Sequence, residues 1–595
     1  MNRLITFLLV PASLLSAFTA CNKKNEKTAI FNTVNIEDAR YLDPARAADA
    51  FSQRVSGAIY EPLYQYHYLE DGFRLIPLVA ADIPSVSKDR LVVTIRLQQG
   101  IRFQDDNSFK KNNGRGREVR ASDFVYSIKR LVVPSLKSPA WPLLQGKITG
   151  IDEFRASLAK IPRDKLGEVL DKPVSGISAL DDYTLQFKLV KPWPQLAHFL
   201  STTYTAAIPR EIAEDHSDET YTILVHHAGS GPFRLRKWER LNSISLERNH
   251  GYHPDFYPMT ASKRFSSTGY LGDFGKSLPL LDGIEIKIAG DKDYWNDFLE
   301  GTYDAAPVPA SAFRQTVSQN GLLNPALSTK AIRINTETGN RCFYIIFNMK
   351  NGLVGKDRNL RQAVAASIDP VKLMEVMNGG MSRPLGPALP SGFREMEPAA
   401  IKWPKFNPAR AKQLFAISGF SKSSAAIELE MPGTDTLNKK AGTLLIGMFE
   451  AAGMKLKINY IIPPEFPGKL ADGKFQLAFF GWAADYPDAE NILRLLYGPA
   501  RINGLNPGSF ENFFFDSLFA KIESPAGTAG IQKVISEIEA LIAEEAPWIP
   551  VYQNIEYHAY HKWVTNYRAS PFISNAFKYY RLMPDVKNRK LSEED

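Results

Sequence analysis

The chain has 595 residues, 44% of them hydrophobic and 23% charged, a balance that excludes a disordered or fibrous protein. Its net charge of +8 is spread along the sequence and makes no basic face of the kind nucleic acid requires. Cysteine occurs only as Cys21 and Cys342, too few for a cysteine-based metal centre.

Residues 1–20 read as a signal peptide. Arg3 gives a positive start, Leu4 to Ala17 an apolar run broken only by Thr6, Pro11, Ser13 and Ser16, and small residues precede Cys21. The run is shorter than the roughly 20 apolar residues of a permanent membrane helix. Thr19-Ala20-Cys21 resembles the bacterial lipobox, whose cysteine is acylated, although Phe18 stands where leucine is usual. Residues 21–29 then form a lipid-anchored polar tether; a plain signal peptide with an incidental cysteine is the alternative. With Cys21 acylated, the mature chain can form no disulfide. The remainder is long enough for two or more lobes.

Along that remainder, strands and helices mix without a strict βαβ beat. Leu91–Leu97 is β-rich and closes at Gln98-Gln99-Gly100, and Lys110–Arg117 is a basic, turn-rich segment expected in an exposed loop. Tyr183–Leu189 alternates apolar and polar residues, as do Ser243–Glu247 and Gly283–Ile288, the pattern of half-buried strands. Gly229-Ser230-Gly231 predicts a tight turn before a strand at Phe233. Leu360, Ala363, Val364 and Ile368 share one helical face. Asp369-Pro370 then starts a second helix, with Asp as N-cap and Pro where its missing N–H costs nothing. That helix stops at Asn378-Gly379-Gly380. Asn407-Pro408 repeats the start signal, a helix through Leu444 and Phe449 ends at Gly453, and a strand follows over Lys455–Ile461. Lys474–Trp482 is apolar enough to predict a strand buried on both faces.

Motifs for chemistry are missing. There is no His-Glu-x-x-His, P-loop or dinucleotide fingerprint, and Gly229-Ser230-Gly231 lacks the spacing of a nucleophile elbow. The histidine pairs His226/His227, His250/His253 and His558/His561 have no carboxylate cluster nearby in sequence, so no metal, cofactor or catalytic residue is expected. One segment stands apart, Phe480-Gly481-Trp482-Ala483-Ala484-Asp485-Tyr486-Pro487-Asp488. An aromatic wall beside a partly desolvated carboxylate can hold an ammonium group by ion pairing and cation–π attraction. The same residues also fit a buried Trp followed by an Asp that caps the next turn.

Ordered segments along the chain resemble the peptide/nickel-type (family 5) solute-binding proteins of ABC importers, most of all their oligopeptide-binding branch. They are Leu42-Asp43-Pro44-Ala45, Ile59-Tyr60-Glu61-Pro62-Leu63, Thr94–Phe103, Ala121–Arg130, Gly229–Leu235 with Leu246–Asn249, Phe347-Asn348, Arg361-Gln362-Ala363, Ile368-Asp369-Pro370 and Ile549–Tyr552. The resemblance implies a two-lobed periplasmic-binding-protein-like (type II) α/β fold with mixed sheets, a cleft between lobes and an extra inserted subdomain. Lobe I would comprise 30–64, 175–340 and 548–595, the subdomain 65–174 and lobe II 341–547. Asp485 matches the position that pairs with a peptide's α-amino group, and Trp482 matches the aromatic. Ala483 and Tyr486 would line the same site. An extended strand near Ala48 to Phe51, including Ala50, would pair with the peptide backbone. Phe479 stands where relatives carry an arginine, which puts recognition of the peptide carboxylate in doubt. Ala483 stands where some carry a cysteine bridged to one like Cys342. The implied protein is no enzyme but a monomeric, membrane-anchored lipoprotein of the cell envelope that delivers short peptides to an ABC permease. The alternatives are a non-peptide ligand, a sensory receptor on the same fold, or an extracytoplasmic hydrolase.

Overall fold

The computed structural model describes residues 28–588 except 267–268, 291, 319, 329, 387–388, 391–404 and 524–527. The expected signal peptide, Cys21 and most of the tether lie outside the described residues.

Two long strands organise the molecule. Ile332–Phe347 and Trp548–His561 run antiparallel to each other over nearly their whole lengths. At one end Trp548–His561 pairs with Ala305–Pro307; at the other Ile332–Phe347 pairs with Leu477–Ala483. One eleven-stranded mixed sheet therefore passes through both lobes. On the first side Ile30–Asn35 lies parallel to Gly283–Ile288, followed by the antiparallel Ser243–Arg248 and Phe233–Glu239. On the second, Ile427–Pro432 lies parallel to Leu456–Ile461. Side chains alternate across the second lobe's sheet. Ile345, Phe347, Leu477 and Phe479 enter one core, and Cys342, Tyr344, Ile346 and Ala478 the other. The pairing of the two long strands breaks register between Thr338 and Cys342. There Gly339 packs so close to Asn554 that a Cβ would lie 2.2 Å from its Oδ1.

Local sequence signals were sound where a short-range cause sufficed. The strands appear as Val92–Arg96, Thr184–Lys188, Ser243–Arg248 and Gly283–Ile288. Asp369 caps Pro370–Asn378 by accepting from the Val371 and Lys372 N–H groups, and Gly379 ends it at φ 63°. Asn407 caps Pro408–Ile417 in the same way.

Two expectations fail, and that of an exposed loop at Lys110–Arg117 holds for most of the segment but not for its end. The inserted subdomain does not end at 174: Ile177–Asp181 and Thr184–Lys188 belong to a four-stranded sheet with Ser85–Val86 and Val92–Arg96. The segment Lys110–Arg117 is exposed at its start, but Gly116 is buried against the Phe103 carbonyl. Its last residue, Arg117, pairs with Asp123 at 2.7 Å and Glu211 at 2.8 Å. Finally, the strand Leu477–Ala483 is fully buried only to Phe479, because Ile427–Pro432 pairs with it solely at Leu477 and Ala478.

The turn at Gly229-Ser230-Gly231 is a knot between segments. A Cβ on Gly229 would stand 2.2 Å from the Ile59 carbonyl oxygen, and one on Gly231 2.6 Å from that of Ala58. Ser230 Oγ donates to Glu61 at 3.1 Å; the same buried carboxylate accepts from Tyr252 OH at 2.7 Å and faces His253 Nε2 at 2.9 Å. The serine is thus a structural donor, and His253 an ion-pair partner. Gly231→Ala is expected to destabilise the protein by about 1–3 kcal/mol, the cost of overpacking, read as a lower denaturation midpoint at unchanged slope. Among the described residues no helix is long and apolar enough to cross a membrane.

Candidate ligand-binding site

Beyond Phe479 the strand Leu477–Ala483 leaves the core. Its register on Ile332–Phe347 sets Trp482 opposite Cys342 and Ala483 opposite Arg341. Its other edge has no strand partner past Ala478 among the described residues, and Gly481 and Ala483 are exposed there. An unpaired edge of this kind offers N–H and C=O groups to an extended chain.

Asp485 follows directly. Its Oδ2 accepts from Asn491 Nδ2 at 3.2 Å, and its Oδ1 accepts from Tyr204 OH at 3.4 Å. Asn491 Oδ1 accepts the Asp485 N–H at 3.1 Å and Trp482 Nε1–H at 3.4 Å, so one amide fixes both the carboxylate and the indole. Tyr204 in turn accepts from Gln53 Nε2 at 3.1 Å, on the helix Ala50–Ile59. No cation pairs with Asp485 among the described residues. Burial raises its pKa to about 6, with Glu490 adding to the rise and the two hydrogen bonds opposing it. Trp482 also covers an apolar cavity of about 230 Å³ lined by Phe480, Leu470, Leu495 and Leu505.

Contacts between the lobes surround this carboxylate. Tyr204 comes from the first lobe, Tyr486 is counted in the first lobe's core, and Lys147 pairs with Glu523 at 2.6 Å. Tyr486 is consequently not a lining residue. It is 1% exposed, donates its OH to Glu490 at 2.7 Å and stacks near His198. Glu490, wholly buried, is also paired with Arg494. Ala50 and Phe51 correct the expected strand as well. Asp49, itself extended, accepts the Ser52 N–H and starts the helix Ala50–Ile59, so Ala50 and Phe51 are helical, and Phe51 packs against the first lobe's core.

Phe479 is buried between Phe343 and Tyr552, so this position presents no group to a ligand. Arg341, exposed, shares a sheet face with Ala483 as its cross-strand neighbour. Cys342 is fully buried, and burial pushes its thiol up to about 12, which makes it inert. The sequence reading missed Tyr204, Gln53, Asn491 and Arg341. Asn491 lies one helical turn past the motif and was open to notice; Tyr204 and Gln53 reach the site only through tertiary packing.

The histidines also acquire places. His253 meets Glu61 as described, His227 Nδ1 lies 3.1 Å from Tyr60 OH, and His561 Nε2 lies 2.8 Å from the Phe298 carbonyl. His558 stands 3.7 Å from Glu556. His226 does have a carboxylate partner, Asp106, which stands 120 residues away in sequence at 2.6 Å.

Comparison with known proteins identifies the family and the fold. Residues 74–504 match the model of "Bacterial extracellular solute-binding proteins, family 5 Middle". The periplasmic oligopeptide-binding protein OppA of Salmonella typhimurium is 23% identical over 498 residues, covering 82% of each chain. Heme-binding protein A of Haemophilus influenzae is 21% identical, over 90% of this chain and 89% of its own. The solved periplasmic binding protein DppA of Helicobacter pylori, in complex with the peptide STSA, superposes with a TM-score of 0.69 at 19% identity, covering 93% of this chain and 98% of that one. The fold is that of the two-lobed periplasmic binding proteins, and the chain belongs to the family 5 bacterial extracellular solute-binding proteins, which serve ABC importers as receptors and not as enzymes.

Proposed function

We propose that this protein captures short peptides with a free amino terminus, pairing their backbone with the open strand edge at Gly481–Ala483 and their ammonium with Asp485. The observation that carries the reading is a desolvated carboxylate, held in place by two neutral donors, with no cation of its own among the described residues. A peptide's α-ammonium supplies the missing charge, and the low-dielectric surroundings strengthen the pair. Main-chain pairing gives affinity independent of side chains, and the cavity under Trp482 accepts one apolar side chain. Arg341 supplies the positive charge for the peptide carboxylate that Phe479 does not. Closure pivots on the register break at residues 339–341, which divides the long strands between lobes I and II. Tyr204, brought over by the first lobe, completes the amine site. The amino-terminal signal supports export as a lipoprotein through Cys21, and the family supports delivery to an ABC permease at the cell envelope.

Calorimetric titration with tri- and tetrapeptides tests the proposal, alongside native mass spectrometry of whatever co-purifies. Free peptides are expected to bind and their N-acetylated forms to bind at least tenfold more weakly, a difference of about 1.4 kcal/mol or more. Equal affinity for the acetylated forms, or a single co-purified compound without an amine, would overturn the peptide reading.

A further inference from the structure

Three side chains from separate segments meet at one surface of the first lobe, sharing no residue with the ligand site. Asp106 lies in the loop before Lys110, His216 ends the helix Arg210–His216, and His226 lies in the segment leading to the Gly229 turn. One donor atom from each falls within 4.8 Å of the others. His226 Nε2 is 2.6 Å from Asp106 Oδ2, and the two imidazoles stack with centroids 3.9 Å apart.

We propose that Asp106, His216 and His226 form a binding site for a late first-row divalent metal ion of the Zn²⁺ class. Two imidazoles and one carboxylate are the donor set such ions select. Around one ion with bonds of about 2.0–2.2 Å, tetrahedral donors stand roughly 3.3–3.6 Å apart. The three donor atoms already lie within 4.8 Å of one another, with the closest pair at 2.6 Å, so small shifts of the side chains reach that spacing. The Asp106 carboxylate is already oriented, because its Oδ1 accepts the Ser108 N–H at 2.9 Å and Oδ2 is left facing the histidines. Ser108 Oγ, 3.1 Å from His216 Nε2, orients that ring. All three residues keep partial solvent contact, which gives an ion a path in. Lys110, in the same loop as Asp106, is paired with Asp215 at 3.2 Å. An ion here would clip the loop around 105–117 to the helix Arg210–His216 and to the segment that carries the Gly229 turn.

The test uses untagged full-length mature protein stripped by chelator and titrated with Zn²⁺ and, separately, Co²⁺. One equivalent of Zn²⁺ is expected to bind and raise the melting temperature, and Co²⁺ to give visible bands of a low-coordinate site. In His226→Gln and His216→Gln, Zn²⁺ affinity is expected to fall by more than about tenfold, the loss that even outer-sphere partners produce, while peptide affinity is unchanged. No Zn²⁺-dependent shift with no Co²⁺ band in the wild-type chain would overturn the site, whatever the variants do. Undiminished one-to-one binding in both variants would do the same.

Discussion

Replacing Asp485 by alanine is expected to weaken binding of free-amine peptides by at least roughly 30-fold, and to leave N-acetylated peptides bound no worse than before. Removing one member of a buried, hydrogen-bonded charge pair costs about 2–5 kcal/mol, much of it the penalty of leaving the other charge unpaired. Here the stranded charge would be the peptide's ammonium, facing Tyr204 OH and Asn491 Nδ2, two groups that donate rather than accept. Asp485→Asn keeps the shape and removes the charge, so it separates electrostatics from packing. Both variants should fold normally, because among the described residues the side chain makes only two long hydrogen bonds and no ion pair. Equal losses for free and acetylated peptides would point to a collapsed strand edge and against an amine anchor.

The same carboxylate predicts a pH dependence whose sign is fixed. Its pKa in the free protein is raised to about 6, and binding an ammonium stabilises the ionised form, so the bound pKa is lower. Affinity is then fully present above pH 6 and falls as pH drops through that value, by about tenfold per unit until the bound-state pKa is reached. On the alkaline side the peptide's own amine, with a pKa of about 7.7–8.0, sets the limit. Peptide affinity measured from pH 4.5 to 9 should therefore be bell-shaped, and in Asp485→Asn the acid limb should vanish. Glu490, five residues on, does not account for the limb: it is already paired with Arg494, and despite its burial that partner keeps its pKa below the usual range.

What could be read from sequence divides along a physical line. Caps and stops needed only neighbours: Asp369 with Pro370, Asn407 with Pro408, and Gly379 each act within one helical turn. The strand at Leu477 was visible as an apolar run, but its burial was not. Whether Gly481 and Ala483 face a neighbouring strand or solvent depends on where Ile427–Pro432 stops pairing, some 50 residues earlier. Asp485 was found because its chemistry sits inside a contiguous motif. Tyr486, in the same motif, looked equivalent yet plugs the interface between lobes. The stretch Ala50–Phe51 is helical and not extended because Asp49, a helix cap by type and position, starts a helix there. Asp106 and His226 lie 120 residues apart, and nothing local marks either as the other's partner.

Asp43→Ala is expected to be the most destabilising single change outside the ligand site. Asp43 and Arg130 are both wholly buried. The guanidinium donates to Oδ1 at 3.1 Å and to Oδ2 at 2.8 Å, and the Ala45 and Ile223 N–H groups donate at 3.0 and 2.9 Å. Burial alone would raise the Asp43 pKa, but Arg130 and these N–H groups outweigh it and hold the carboxyl below its usual range. Alanine would leave the guanidinium buried with only the Tyr221 carbonyl as acceptor among the described residues, at a cost of about 3–5 kcal/mol. The pair ties the segment after the first strand to the helix Ala121–Leu131 of the insert and to the loop at Ile223, so the loss should loosen all three together. A depressed carboxylate pKa contributes stability that is present above the unfolded value of about 3.9 and is lost as pH falls through the folded one. The wild type should therefore lose part of its advantage over Asp43→Ala below about pH 4, which urea melts at pH 7 and pH 3.5 would resolve. Replacing both partners with apolar residues of similar volume should restore most of the loss, because no buried charge then remains unpaired. A double variant as unstable as Asp43→Ala would mean that the backbone N–H groups of Ala45 and Ile223, and not the ion pair, are what the carboxylate is there to satisfy.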